Sequence, residues 1–489
     1  MTRAEDNLTV SVCHEPGLGY PEAEDYFSPD QPFPEYRWGH LAAKPNGVYA
    51  AVRNCLAAAG LDAGNFGKPA WNPLRKYISP GQNVFLLCNF VKHNDQRVSD
   101  EAFFAKCTHG SVLRPLIDYV LLALEGRGSV RFGNAPLQSC DWGRVAAETG
   151  ALRVRDFYAG RPLAQARVEL ADLRGHVIVR GPLGGMATVR HAAEPEDSAA
   201  IDLAADSLLE AHYRGGRQPR FRVQDYDPQR TENCHCEGRH VYFINRRLLQ
   251  SDVILSVPKL KTHEKVGITC GLKGCVGSVA HKDCLAHHRY GPPRVGGDEY
   301  PDKLAVLGVF SAIHESANLP GRGLPHRVMR SVDYFSRKLV RRFTRALGGA
   351  WPGNDTCWRM TLDLARILEY ADQTGRLGET RRRRHLLFTD GIIGGEGNGP
   401  LSPKPVRFGY LCFSESLPMG DYVNCLAMGY DPMSLPLIRG AFGLGKYPLC
   451  DLPPAACGIR VNGRPATLGE LAQGLGVKFL PPREWRGAL

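Results

Sequence analysis

Residues 258–288 are dense in side chains that bind anions or transfer protons. They are Lys259, Lys261, His263, Lys265, Lys273, His281, Lys282, His287 and His288, with Thr262 and Thr269 beside them. Ammonium and imidazole groups carry positive charge and donate hydrogen bonds, and the interspersed glycines let backbone N–H groups approach a ligand. The composition of this segment predicts an anion-binding active site. A solvated basic loop is the alternative.

Four of these side chains are expected to be catalytic. His263 and Lys273 form the expected catalytic pair, and His287 and His288 are expected to transfer protons. A lysine among other cations has a lowered pKa, so it can act as an anion ligand, a Schiff-base or cofactor lysine, or a general base. The expected substrate ligands are Lys259, Lys261, Thr262, Thr269, Asn89 and Asn398.

A site for a divalent transition metal is another use of the same histidines. The expected ligands are His263, His281, His287 and His288, with Asp390 and Glu396 approaching from the C-terminal third. The cysteines lack the spacing of a zinc finger or a ferredoxin cluster, so an iron–sulfur cluster is not expected. The segment TDGIIGGEGNGP contains neither a P-loop nor a GxGxxG fingerprint and predicts a tight glycine turn or a phosphate cradle.

Apolar stretches flanked by helical patterns must position these residues. SDVILSV directly precedes the basic segment, and NVFLLCNFV at 83–91 is a second apolar run, so both predict buried parallel strands. Helical spacing at 46–61 and 109–125 and a strand at 129–132 give a β–α–β order. This order predicts an α/β fold with a doubly wound, mostly parallel sheet, a β-rich insertion and a C-terminal α/β portion. Ligands gather at the carboxyl ends of strands in such sheets, where the basic segment begins.

Shifts in composition divide the chain into six expected portions. They are an irregular N-terminal arm at 1–40, a first α/β portion at 41–150, a β-rich insertion at 151–250, a strand with the basic active-site loop at 251–320, a helical segment at 321–380 and a C-terminal α/β portion at 381–489.

Charge and hydropathy restrict the partners. The 489 residues include 61 Lys+Arg against 50 Asp+Glu, a net charge of +11, which predicts anionic partners. No recognised nucleic-acid reader motif accompanies the charge, so nucleic acid is not an expected partner. No apolar run reaches the ~20 residues that cross a bilayer. The scattered cysteines and the absence of a signal pattern predict a cytoplasmic protein.

An amphipathic helix is predicted at 330–347. Val332, Phe335 and Leu339 share one face, and arginines surround it. Such a face packs on the protein core or lies in a membrane interface, so peripheral membrane contact through 330–347 is an alternative to core packing.

The sequence SDVILSVPKLKTHEKVGITCGLKGCVG resembles the domain of unknown function 362 family, whose hallmark is an apolar strand, then V-P-K-x-K-T-H, then a T-x-x-L-K-N-like turn. THGSVLRPLIDYV, GGDEYPD, GNDTCWRMTLDLAR and TDGIIGGEGNGP extend the likeness, and GNDT with the double histidine is similar to the longer branch of the family. The chain departs from the pattern at Leu87, Asn134 and Gly274, and it carries no attached ferredoxin-like segment. The resemblance implies a fold and a site rather than a reaction. It associates the chain with surface-glycan and specialised-metabolite pathways.

A more distant likeness is to the nickel-pincer lactate racemases, in which a histidine precedes the cofactor-bearing lysine by ten residues. His263 precedes Lys273 by the same interval. This likeness implies a covalent cofactor on Lys273.

The expected function is therefore that of a biosynthetic enzyme acting on an anionic small molecule or an activated sugar-like intermediate, with metal assistance as an option. The alternatives are a non-catalytic protein that binds an anionic glycan or lipid at the membrane face, and an iron–sulfur redox protein.

Overall fold

The computed structural model describes residues 8–94, 98–161, 164–180, 186–190, 197–321, 323–473 and 475–489. Its strands are β1 (Thr9–His14), β2 (Asn83–Cys88), β3 (Ser129–Asn134), β4 (Arg167–Asp172), β5 (His176–Arg180), β6 (Met186–Arg190), β7 (Ser198–Asp202), β8 (Phe221–Arg222), β9 (His235–Cys236), β10 (Arg239–Asn245), β11 (Val253–Val257), β12 (Lys259–His263), β13 (Gly267–Thr269), β14 (His288–Arg289), β15 (Arg384–Asn398), β16 (Ser402–Ser414), β17 (Gly458–Val461) and β18 (Arg464–Ala466).

The α-helices lie between these strands. They are α1 (Gly47–Ala58), α2 (Asp100–Phe104), α3 (Gly110–Leu124), α4 (Trp142–Glu148), α5 (Ala151–Ala159), α6 (Pro228–Cys234), α7 (Arg246–Leu249), α8 (Gly271–Gly274), α9 (Leu307–Asn318), α10 (Gly323–Phe343), α11 (Cys357–Tyr370), α12 (Leu417–Ala427), α13 (Pro436–Phe442) and α14 (Leu468–Ala472).

One mixed sheet forms the centre, in the order β18-β17-β1-β16-β15-β11-β2-β3-β4. From β15 through β11, β2 and β3 to β4 the neighbours run parallel, whereas β15 and β16 form a long antiparallel hairpin. The predicted α/β class and the mostly parallel sheet are confirmed.

The alternation of β2 shows how helices cover both faces. Val84 and Leu86 pack on one core, with side chains of α1 and α3, while Phe85 and Leu87 pack on a second core with side chains of α11. Successive side chains of a strand point to opposite faces, so a strand apolar at every position must be covered on both.

Two expectations need correction. The N-terminal 40 residues are not irregular throughout, because β1 joins the central sheet between β16 and β17, and only 15–46 contain neither helix nor strand. Most of the glycine-rich segment is strand instead of a tight turn or a phosphate cradle, because residues 389–398 belong to β15 and pair with β16. Gly399 and Pro400 lie in the turn that joins the two strands. The glycines of β15 permit close approach instead: a Cβ at Gly395 would lie 2.7 Å from the Ala105 carbonyl oxygen.

Candidate functional site

A cleft of about 240 Å³ opens at the carboxyl end of β2, β3 and β11. The chain passes from β11 through Pro258 into β12, which pairs with both β15 and β13. It then turns into α8 and the 3₁₀ turns that follow. Four lysines and two histidines of this segment line the cleft, namely Lys261, Lys265, Lys273, Lys282, His263 and His287.

A larger cavity of about 570 Å³ lies at the opposite edge, beside the start of β15. Its charged groups already bind one another: Arg381 contacts Glu369 at 3.0 Å and Asp451 at 2.9 Å. Arg383 donates to the carbonyl oxygens of Leu368, Ala371 and Leu249. Of these two cavities, the smaller cleft is therefore the one whose positively charged side chains are not paired with carboxylates among the residues described.

Lys261 is held at the base of the cleft by polar atoms without charge. Its Nζ donates to Asn89 Oδ1 at 2.6 Å and to the Lys106 carbonyl oxygen at 2.5 Å. Burial lowers the pKa of Lys261 to about 7, and the positive charges of Lys259, Lys106 and Lys273 lower it further against the opposing effect of the Cys107 thiol. Lys261 therefore titrates near neutrality.

Lys282 resembles Lys261. Its Nζ donates to the Val276 carbonyl oxygen at 3.0 Å, and burial lowers its pKa to about 7. Lys265 is half-buried, and its Nζ donates to the Gly348 carbonyl oxygen. In the described part of the chain neither lysine has a carboxylate partner.

Lys273 has neither a hydrogen bond nor an ion pair among the described residues, although its side chain is buried. Burial lowers the pKa of its ammonium group. Its position is fixed by Asp421 of α12, whose two carboxylate oxygens accept from the N–H groups of Gly271 at 2.7 Å and Leu272 at 2.9 Å. Burial raises the pKa of Asp421 to about 7. Asp421 thus positions the turn that presents Lys273 to the cleft.

The two cleft histidines are held in opposite tautomers. His263 Nδ1 accepts from the Lys265 N–H at 3.0 Å, so the proton of the neutral ring lies on Nε2. His287 Nδ1 lies 3.1 Å from the Leu285 carbonyl oxygen and must donate to it, which leaves Nε2 with a free lone pair. Burial lowers the pKa of both imidazoles well below 6.5, and nearby Lys273 and Lys265 lower them further. His263 is therefore a hydrogen-bond donor and His287 a proton acceptor.

The carboxylates at the rim are already neutralised. Glu264 accepts from Arg345 at 2.7 Å, and Asp225 accepts from Arg337 at 2.5 Å. Two neutral oxygen atoms at the cleft, Thr269 Oγ1 and Asn134 Oδ1, are buried and lack a hydrogen-bond partner in the described structure. Buried polar atoms of native proteins are rarely left unpaired, so these two oxygens are candidates to accept hydrogen bonds from a ligand.

The structure separates several predicted site residues from the cleft. Lys259 and Asp390 form a buried ion pair of 3.0 Å, and Asp390 also accepts from Tyr20. Thr262 Oγ1 donates to the Gly397 carbonyl oxygen at 2.7 Å. Lys259, Thr262 and Asp390 therefore make their contacts within the fold, and the structure does not place them in the cleft.

Glu396 and Asn398 lie outside the cleft as well, because both secure the C-terminal segment. Glu396 accepts from the Leu480 N–H at 2.9 Å, and Asn398 accepts from the Arg483 N–H at 3.1 Å.

His281 and His288 also point elsewhere. His281 packs its ring on His176 and Phe243. His288 begins β14 next to His287, and its Nε2 lies 4.0 Å from Glu299 Oε1 in a separate small cavity. Neighbouring residues in extended chain face opposite sides, so His287 and His288 cannot share one site.

The residues predicted as metal ligands do not come together in the part of the chain that the structure describes. The side chains of His263, His281, His287, His288, Asp390 and Glu396 do not converge, and in the described ranges no group of three His, Cys, Asp or Glu side chains could hold a metal ion. The residues expected to bind a divalent metal are therefore distributed over separate parts of the described structure.

Three residues of the cleft were not assigned a role from the sequence. Lys265 and Lys282 belong to the basic segment but lacked a distinguishing signal. Asn134 is the last residue of β3, and Asn89 directly follows β2 at the same edge of the sheet. Because ligands bind at the carboxyl ends of parallel strands, this position could have identified Asn134 as a site residue.

Residues 215–425 match the family model of the domain of unknown function DUF362. The resemblance seen in the sequence is confirmed by this match, which covers less than half of the chain. No curated protein and no solved structure matches the chain.

Proposed function

We propose that this protein is an enzyme that binds an anionic small molecule in the cleft and moves a proton between the ligand and His287. The observation that carries the proposal is the convergence of Lys261, Lys265, Lys273 and Lys282 on one cleft whose rim carboxylates are paired with arginines. Buried like charges repel and are costly to desolvate, so a bound anion would relieve both penalties.

The chemistry follows from the two tautomers. A phosphate or carboxylate group would lie against the lysines, and the unpaired Thr269 hydroxyl and Asn134 amide oxygen would accept from hydroxyl groups of the ligand. His263 Nε2–H would donate to a ligand oxygen on which negative charge develops, while His287 Nε2 would accept a proton. An activated sugar-like intermediate satisfies these requirements as well as a simple phosphorylated acid does.

The size of the cleft favours a small molecule over a polymer. At about 240 Å³ it lies just below the ~300–1,000 Å³ of ordinary ligand pockets. An anionic glycan chain would need a longer groove.

Binding is tested first with pyrophosphate, then with phosphorylated, carboxylated and sugar-nucleotide compounds, by isothermal calorimetry. We expect the protein to bind pyrophosphate, Lys273→Met and Lys282→Met to bind at least tenfold more weakly, and the exposed Lys404→Met to bind as the unaltered protein does. Equal affinity in all four proteins would overturn the proposed anion site.

Proton transfer is tested with the tightest ligand from that panel. Among the carbon-containing ligands of the panel, transfer of a C–H proton to His287 Nε2 and its return from solvent in D₂O should introduce deuterium at that carbon, detectable by mass spectrometry. His287→Gln should abolish exchange and retain binding. Binding without exchange or turnover would establish a carrier instead of an enzyme.

A covalent cofactor on Lys273 is a second candidate. His263 and Lys273 of the His-x9-Lys spacing line the same cleft, and Lys273 has no partner among the described residues. The intact mass of the anaerobically purified protein tests this candidate. An added mass that maps to Lys273 would support a covalent cofactor, and an unmodified mass would overturn it.

A further inference from the structure

Helix α10 turns its apolar face away from the protein. Leu324, Val328, Val332, Phe335 and Leu339 follow one another at intervals of three or four residues, which places them on one stripe. Their exposed fractions run from 45% at Val332 to 72% at Leu324. In an ordinary surface helix this stripe would be buried.

The opposite face of α10 packs on the protein through the buried Val340 and is held there by charge as well. Asp333 is buried and contacts His314 of α9 and Arg337 of α10 itself, each at 3.0 Å. Arg337 also binds Asp225 at the cleft rim. These contacts fix the orientation of the helix, so the exposed stripe is built into the fold.

Helix α9 widens the apolar surface. Val306 and Val309 are 67% and 64% exposed, and Phe310 lines the shallow groove between the two helices. We call the surface formed by Val306, Val309 and the α10 stripe the apolar face. Contiguous exposed apolar surface of this extent marks an interaction site.

The basic residues around the apolar face indicate which kind of partner it binds. Helix α10 carries six lysines and arginines and a single acidic residue, Asp333, which is buried. On a helical wheel Arg327, Lys338 and Arg342 flank the stripe, so basic and apolar groups reach outward together. Two copies meeting through this face would bring their cations together, which disfavours self-association. An anionic lipid surface supplies both the negative charge and the apolar layer.

We propose that α9 and α10 form a docking site for an anionic membrane surface, with the α10 stripe inserted at the level of the headgroups. None of the described helices is long and apolar enough to span a bilayer, so this attachment is peripheral. Because Arg337 joins α10 to Asp225, docking would place the membrane beside the mouth of the cleft.

The test is co-sedimentation of the full chain with vesicles of phosphatidylcholine alone or mixed with phosphatidylglycerol. We expect binding to the mixed vesicles only, weakened at least tenfold by 1 M salt or by the triple variant Val332→Ser, Phe335→Ser, Leu339→Ser. The matched control Leu41→Ser, Leu480→Ser, at two exposed leucines elsewhere, should bind as the unaltered protein does.

A charge-reversal pair separates specific docking from general attraction. Arg327→Glu, Arg342→Glu should lose binding, whereas Arg460→Glu, Arg464→Glu on β17 and β18 should retain it. Equal loss in both pairs, or binding that survives the triple serine variant, would overturn the proposal. A dimer that the triple variant converts to monomer, measured by light scattering without vesicles, would assign the face to a second copy instead.

Discussion

His263 and His287 line one cleft with opposite ring nitrogens engaged by the backbone. The Lys265 N–H binds His263 Nδ1, and the Leu285 carbonyl binds His287 Nδ1–H. The two rings thus present one donor and one acceptor to the same ligand. Their roles are set before any ligand arrives, because each tautomer is fixed by a main-chain contact.

Nuclear magnetic resonance of ¹⁵N-histidine-labelled protein can observe these tautomers. We expect His263 as the Nε2–H form and His287 as the Nδ1–H form, both neutral through the pH range in which an ordinary histidine titrates, because burial lowers each pKa. His263→Gln and His287→Gln assign the two signals. Protonation of either ring near its ordinary pKa, in anion-free buffer, would contradict the assignment.

Anion binding should take up protons. In the free protein the pKa values of Lys261 and Lys282 are about 7, so both amines are largely neutral at pH 8. A bound anion favours the charged forms, and we expect uptake of about one to two protons per pyrophosphate at pH 8, with affinity falling as the pH rises from 7 to 9.

Calorimetry in two buffers of different ionisation enthalpy measures this uptake. Lys282→Met should lower it by about one proton, and Lys404→Met should leave it unchanged. Without an anion the same lysines make the protein more stable as the pH rises from 7 towards 10, because the unfolded chain then holds protons that the folded chain has lost. Identical binding enthalpies in the two buffers would rule out lysine titration.

Lys273→Met should stabilise the ligand-free protein. The substitution keeps the length of the side chain and removes a buried charge that has no partner among the described residues. We expect the free energy of unfolding at pH 7 to rise by about 1 kcal/mol in anion-free buffer, since groups placed for function often cost stability. Urea titration with and without pyrophosphate checks both effects. A destabilised variant would show that the ammonium has a structural partner.

Asp390→Asn should be strongly destabilising. Both partners of the Lys259–Asp390 pair are fully buried, so removal of the carboxylate leaves a buried ammonium uncompensated, at a cost of about 3–5 kcal/mol. Asp451→Asn at the exposed pair with Arg381 is the matched control and should cost about 1 kcal/mol or less. Equal losses in the two variants would mean that the buried pair is screened by water.

The sequence predicted the sheet and the segment that carries the site, because apolar runs such as SDVILSV and the adjoining basic residues are local signals. It predicted Lys261, His263, Lys273 and His287 at one cleft, and the structure places all four there.

It could not separate His287 from His288, or Lys261 from Lys259. The direction of a side chain depends on the register of β12 and β14, and the carboxylate that pairs with Lys259 comes from a strand more than a hundred residues away. The tautomers of His263 and His287 depend on hydrogen bonds to main-chain groups two residues away. The order of residue types in the sequence does not predict these hydrogen bonds. The glycine-rich segment was misassigned because glycines that serve close strand packing have the same composition as glycines that form a turn.

The central sheet crosses the limits of the family match. Several contacts join residues 215–425 to the part of the chain before residue 215. Strand β11 pairs with β2, and Lys261 donates to Asn89 and to the Lys106 carbonyl oxygen. Lys259 donates to the Tyr20 hydroxyl group. The matched segment is thus not an autonomous folding unit. A fragment cut at residues 215 and 425 would leave β11 without its neighbour β2, and Lys259 and Lys261 would lose these hydrogen bonds. The part of the chain before residue 215 also supplies Asn89 and Asn134 to the lining of the cleft, so it helps to determine which ligand fits.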